Sequence, residues 1–124
     1  MSNRLEDLEI YNLSQDLGEK VWAIVIKWDY FAKDTIGKQI VRSADSITAN
    51  IAEGFGRFHY KENKNFCYFS RGSILETKAW LTKAKVRDLI DQDEHNSLMT
   101  QLETIHLKLN AYIKFIGKKI TTND

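Results

Sequence analysis

Proline is missing from all 124 residues. At an average usage of about 5%, roughly six would be expected. A chain without that helix breaker suits long helices joined by short turns. Cysteine occurs once, at Cys67. That excludes an internal disulfide and leads to the expectation of a reduced, cytoplasmic setting. The longest unbroken apolar run, Val21 to Ile26, is far below the ~20 residues of a membrane span. The opening Met-Ser-Asn-Arg-Leu-Glu-Asp is too polar and acidic to read as a signal peptide. Charge of one sign is not in excess either. Eighteen basic residues against seventeen acidic ones leave +1, so the totals indicate neither a strongly basic nucleic-acid binder nor an acidic tail. Apolar residues at 43% and charged residues at 28% argue against disorder. No linker, repeat or low-complexity tract divides residues 1–124, which read as one domain.

What is present is helical periodicity. Glu-Gly-Phe-Gly-Arg, with Gly54 and Gly56, reads as a helix stop, because glycine tolerates the left-handed backbone of a C-terminal cap. Weaker breaks fall at Trp28–Asp34 and Asp91–His95. They leave four segments, about 8–28, 35–55, 60–88 and 93–120. In the first, Ile10, Leu13, Leu17, Val21, Ile24 and Trp28 recur in steps of three and four. Ile36, Ile40, Ala44, Ile47 and Ile51 do so in the second, which Asp34 is expected to cap. The third places Phe66, Ser70, Ser73, Ile74, Thr77, Trp80, Leu81 and Ala84 on one face. The fourth carries Leu98, Leu102, Ile105, Leu109, Tyr112, Ile113, Ile116 and Ile120, with Asp91 or Asp93 as cap. The expected fold is all-α, an antiparallel up-down-up-down four-helix bundle.

Two segments carry more apolar surface than one bundle needs. Leu8, Tyr11, Trp22 and Ile26 form a second stripe on the first, and Tyr68, Leu75, Ala79 and Val86 a second on the third. Self-association is the expected use of both stripes.

Enzyme chemistry finds little footing. His95 and His106 stand ~16 Å apart along a helix, and Cys67 lacks a CxxC partner, so no metal and no cofactor are expected. Asp91-Gln-Asp-Glu-His lacks the glycine and closing glutamate of a calcium loop. No Gly-rich phosphate loop or GxSxG elbow occurs, and pairs such as Glu6-Asp7 read as a solvated turn. No catalytic residue is assigned.

Two polar patterns remain. Gln39, Arg42, Ser43, Ser46, Asn50 and Glu53 form a ridge on the second segment. Ser and Asn are poor helix-interior residues, so a hydrogen-bonded seam is the expected reason for them. Asn50 and Glu53 are placed to fix the turn into the third helix. The second pattern is basic: Lys64, Arg71, Lys78 and Lys85 recur every seven residues, with Arg57 and Lys61 just upstream among Phe55, Phe58, His59 and Tyr60. Residues 36–88 hold ten basic and five acidic side chains, against four and seven in 1–35 and four and five in 89–124. Cations spaced ~10 Å apart suit a phosphate backbone, and nearby rings suit unpaired bases.

The stretch from Gln39 to Arg57, QIVRSADSITANIAEGFGR, resembles the signature of a bacterial four-helix bundle family encoded in intervening sequences of large-subunit ribosomal RNA genes. That family is related to the accessory variability determinant protein of diversity-generating retroelements. Arg71-Gly-Ser-Ile-Leu-Glu76 resembles its second motif, and Leu8-Glu-Ile-Tyr11 its usual opening. The resemblance implies a bundle that assembles as a ring, a homopentamer. Gln39, Arg42, Ser46, Asn50, Glu53 and Gly54 match the first motif, and Gly72, Ser73 and Glu76 the second; these are expected to serve fold and assembly. Retroelement relatives use a basic ring to bind nucleic acid and a reverse transcriptase. Thr48 and Ala49 stand where the family often has proline and serine, and His59 where it opens a helix with serine. Losing that capping box costs at most about 1 kcal/mol. The expectation is a non-enzymatic accessory protein that binds RNA or DNA along its basic stripe, with no membrane partner. The alternative is a structural or protein-docking module.

Overall fold

The computed structural model describes residues 3–120. Four helices build it, and there is no strand among the described residues. α1 is Glu9–Val25, preceded by a 3-10 turn at Leu5–Asp7. α2 occupies residues 30–55 as three continuous pieces: Tyr30–Ala32, a π-helical Lys33–Gly37, and Lys38–Phe55. α3 is Tyr60–Val86 and α4 is Gln92–Gly117.

Each apolar period becomes one buried face. Ile36, Ile40, Ala44, Ile47 and Ile51 are all buried, as are Leu98, Leu102, Ile105, Leu109, Ile113 and Ile116. They meet Leu17 and Val21 of α1 and Ile74 and Leu81 of α3 in one core. Burying each of these isoleucine, leucine or valine side chains is worth about 1.5–3 kcal/mol. The helices neighbour one another in cyclic order, with α2 and α3 in the most extensive contact. Along that contact Gly54 meets Asn63, Ile47 meets Ser70 and Ser43 meets Thr77. Along α3 and α4, Lys64 lies by Gly117, Arg71 by Asn110 and Lys78 by Glu103. As one number rises, its partner falls.

The α2–α3 seam is narrow because its residues are small. Ser70 Oγ donates to the Ile47 carbonyl at 2.8 Å, and Thr77 Oγ1 lies 2.9 Å from Ser43 Oγ. A Cβ on Gly54 would sit 2.7 Å from Asn63 Oδ1 and 2.9 Å from Phe66 Cβ. Close approach, not backbone handedness, explains that glycine. Gly56 closes α2 with φ −79°, and no described glycine has a positive φ, so the left-handed cap expected here is not used.

Three boundaries differ from the sequence reading. The first break falls after Val25, and Asp29 caps α2 by accepting from Ala32 N at 2.9 Å. Asp34 is no cap; it lies inside the π-helical turn, where Lys38 N–H donates to the Lys33 carbonyl. That one-residue insertion keeps the helix running while Ala32, Ile36 and Ile40 all face inward. The last break lies at 87–91, before Asp91 rather than after it. There Asp88 takes the left-handed position (φ 58°). Leu89 N donates to the Ala84 carbonyl and Asp88 N to the Lys85 carbonyl, a Schellman closure without glycine. Asp91 then caps α4 in a capping box with Glu94.

Candidate nucleic-acid interface

The basic residues of α3 do not act as one row. Arg57 is bound by two carboxylates, Glu53 at 2.6 Å and Glu62 at 3.3 Å, and lies 4.8 Å from the centroid of the Phe66 ring. Through these two carboxylates it links the end of α2 to the start of α3. Lys78 is paired with Glu103 of α4 at 2.7 Å, and that lysine's hydrogen bond holds the Glu103 carboxyl below its ordinary value. Lys61 is exposed at the start of α3, and Lys85 is half-buried near its end.

Lys64 and Arg71 belong elsewhere. With Tyr68 between them they form one wall of an open groove of ≈ 580 Å³. Asn110, Ile113, Lys114, Gly117 and Lys118 of α4 form the other. Arg71 Nη1 donates to Asn110 Oδ1 at 3.0 Å, and its guanidinium carbon lies 5.0 Å from the Tyr68 ring centroid. Lys64 Nζ stands 5.9 Å from the same centroid. A Cβ on Gly117 would lie 3.5 Å from that ammonium. Lys64 therefore lies over the last turn of α4, where the helix carbonyls carry partial negative charge. Among the described residues, four cations line the groove and no carboxylate does. Sequence reading missed Lys114, Lys118 and Asn110. Their spacing on α4 placed them on one flank, but that flank meets Lys64 and Arg71 only through the register of two packed helices.

The motif residues take distinct places. Ser43 is buried in the α2–α3 seam. Asn50 Nδ2 donates to the Ser46 carbonyl within its own helix. Gln39 and Ser46 are half-buried and Arg42 is exposed. On α3, Ser73 Oγ donates to the Phe69 carbonyl, and Glu76 accepts from Trp80 Nε1 at 3.1 Å. Gly72 has nothing within 4 Å of an added Cβ.

The two surplus stripes behave differently. Tyr68, Leu75, Ala79 and Val86 are exposed on α3, Leu75 at 55% and Val86 at 77%. On α1 the stripe divides. Trp22 and Ile26 are each 53% exposed, whereas Leu8 and Tyr11 are half-buried against the core. A helical wheel cannot see the neighbour that covers the start of α1.

Among the described residues no group of three or more His, Cys, Asp or Glu side chains could hold a metal ion. Cys67 is buried in the core, and burial pushes its thiol up to about 12. No helix of the described residues is long and apolar enough to cross a membrane.

The fold and groove together define a small helical bundle with a cationic furrow between two neighbouring helices. Residues 6–111 match the family described as 23S rRNA-intervening sequence protein, and the chain belongs to that family. A crystal structure from Bacteroides thetaiotaomicron, described as a protein with unknown function from the S23 ribosomal protein family, shares the fold at a TM-score of 0.76. The two chains are 22% identical, over 85% of this chain and 98% of that one. No curated protein matches.

Proposed function

We propose that this protein is a non-enzymatic, cytoplasmic accessory protein that binds RNA through the α3–α4 groove. One observation carries the reading: Lys64, Arg71, Lys114 and Lys118 converge with no carboxylate among the lining residues, while Arg57 and Lys78 are already paired. A polyanion supplies the missing negative charge, and the Tyr68 ring offers a face for an unpaired base. Family membership supports a link to ribosomal RNA genes. Opposite-running residue pairs along the α2–α3 and α3–α4 seams support an antiparallel up-down-up-down arrangement.

A fluorescence anisotropy titration of labelled single-stranded and structured RNA against salt tests this. Each groove cation changed to glutamine is expected to lower the salt slope by about 0.7 on single strands. Arg57→Gln and Lys78→Gln leave it nearly unchanged. Absence of binding at ~50 mM salt, or equal losses for Lys78→Gln and Lys64→Gln, refutes the reading.

A second reading concerns assembly. Tyr68, Gly72, Leu75, Ala79 and Val86 fall in one outward row on α3. A helix-interior glycine there costs about 1 kcal/mol relative to alanine, and nothing among the described residues comes close enough to require it. Close packing of a second copy along the row gives it a use and sets the groove beside its equivalent, since Tyr68 belongs to both. A closed ring of five rests on the family resemblance, and a reverse transcriptase partner on the retroelement resemblance alone. Light scattering that finds a monomer at micromolar concentration removes the assembly reading and returns the row to ordinary surface.

A further inference from the structure

A second groove lies on the opposite pair of helices and shares no residue with the first. It runs between α1 and α2 with a volume of ≈ 450 Å³. Trp22, Val25, Ile26 and Val41 make its walls and floor, and Lys33, Lys38 and Arg42 its rim. Trp22 on α1 and Ile26 at its C-cap are one turn apart, each 53% exposed. Gly37 keeps the floor low, since a Cβ there would meet Val25 Cγ1 at 2.8 Å. Among the described residues, no acidic one lines the groove. Asp34 engages Lys38 at 2.8 Å from outside it, but no carboxylate of the described residues pairs with Lys33 or Arg42.

We propose that this groove docks an acidic amphipathic helix of a partner protein. The apolar floor needs an apolar ridge, and the cationic rim needs carboxylates flanking that ridge. Length agrees. Lys33 to Arg42 spans ~13 Å along α2, which admits between two and three turns of a helix presenting apolar residues at i, i+3 or i+4, and i+7. Val25, Ile26 and Val41 outnumber the single ring, Trp22, so the floor suits a ridge of apolar side chains. The inference does not depend on RNA binding.

The probe is a helical peptide of about sixteen residues, with leucine and phenylalanine on one face and glutamate beside them. Its counterpart carries lysine in place of each glutamate. Isothermal titration with the full chain is expected to detect the acidic peptide and not the lysine peptide. Trp22→Ala weakens binding by about tenfold or more. Lys33→Glu combined with Arg42→Glu reverses the preference between the peptides. Trp22 is half exposed, so circular dichroism of the variant is expected to match the parent. Four outcomes overturn the proposal: no binding of the acidic peptide, equal binding of both peptides, displacement of the peptide by single-stranded RNA, and dissolution of an oligomer by Trp22→Ala in light scattering. The third gives the groove to nucleic acid and the fourth to a second copy of the chain.

Discussion

Two glycines separate the effects of packing inside the bundle from those on its surface. Both lie within helices, so alanine at either gains about 0.5–1 kcal/mol from the unfolded state. At Gly72 that gain is unopposed, because nothing lies within 4 Å of the new methyl group. At Gly54 the methyl group would meet Asn63 Oδ1 at 2.7 Å, Phe66 Cβ at 2.9 Å and the Asn63 carbonyl at 3.0 Å. Two of these three atoms are a Cβ and a main-chain oxygen, which cannot swing aside. Relief requires α2 and α3 to separate, and such overpacking costs about 1–3 kcal/mol. Gly54→Ala is therefore expected to lose about 1–2 kcal/mol net, and Gly72→Ala to gain up to about 1. Urea unfolding followed by circular dichroism reads both. In thermal melts of a domain of this size the two midpoint temperatures should differ by roughly 4–12 °C. If Gly54→Ala stabilises as much as Gly72→Ala, the close approach of α2 to α3 is wrong. Repeating Gly72→Ala at high protein concentration adds a second readout. Where a second copy packs on that row, the gain shrinks as concentration rises.

Burial, and then the neighbouring Glu19, raise the Asp45 carboxyl above its ordinary value of 3.8. The folded chain holds that proton more tightly than the unfolded chain, so stability is lost as pH rises from 3.8 through the raised value. Asp45→Asn is expected to raise the melting temperature at neutral pH and to match the parent below pH 3.8, read by thermal melts across pH. Cys67, with its thiol pushed up to about 12, should react with a disulfide reagent only as the bundle opens, at a rate that increases with urea. Asp88→Gly removes a left-handed non-glycine residue and should gain about 1 kcal/mol in urea unfolding. Asp91→Ala breaks the capping box and should lose about 1 kcal/mol by the same measurement.

The core of α2 and α4 was legible because isoleucine and leucine recur there with few interruptions. The start of α2 was not. No glycine or proline marks the turn after Val25, and the π-helical insertion shifted the register on which Asp34 had been read as a cap. On α3 the expected face includes Phe66 and omits Asn63 and Cys67, whereas Asn63 and Cys67 are buried and Phe66 is half-buried. A wheel built on hydrophobicity does not place an asparagine inward. The candidate site was half legible. Lys64 and Arg71 declared themselves by their interval of seven, but the pairing of Lys78 with Glu103 and the arrival of Lys114 and Lys118 depend on which face of α4 meets α3. Charge summed over a stretch of chain says nothing about charge gathered from two stretches.

One asparagine ties this end of the molecule together. Asn63 donates from Nδ2 to the Tyr112 hydroxyl at 3.1 Å, accepts weakly from Cys67 Sγ at 3.6 Å, and fills the space left by Gly54. Fraying of α2 from its far tip would leave that amide half-served in a dry interior, so the loss spreads to the neighbouring helices. Main-chain protons of α2, α3 and α4 near this amide should then exchange with solvent together, in one event rather than turn by turn.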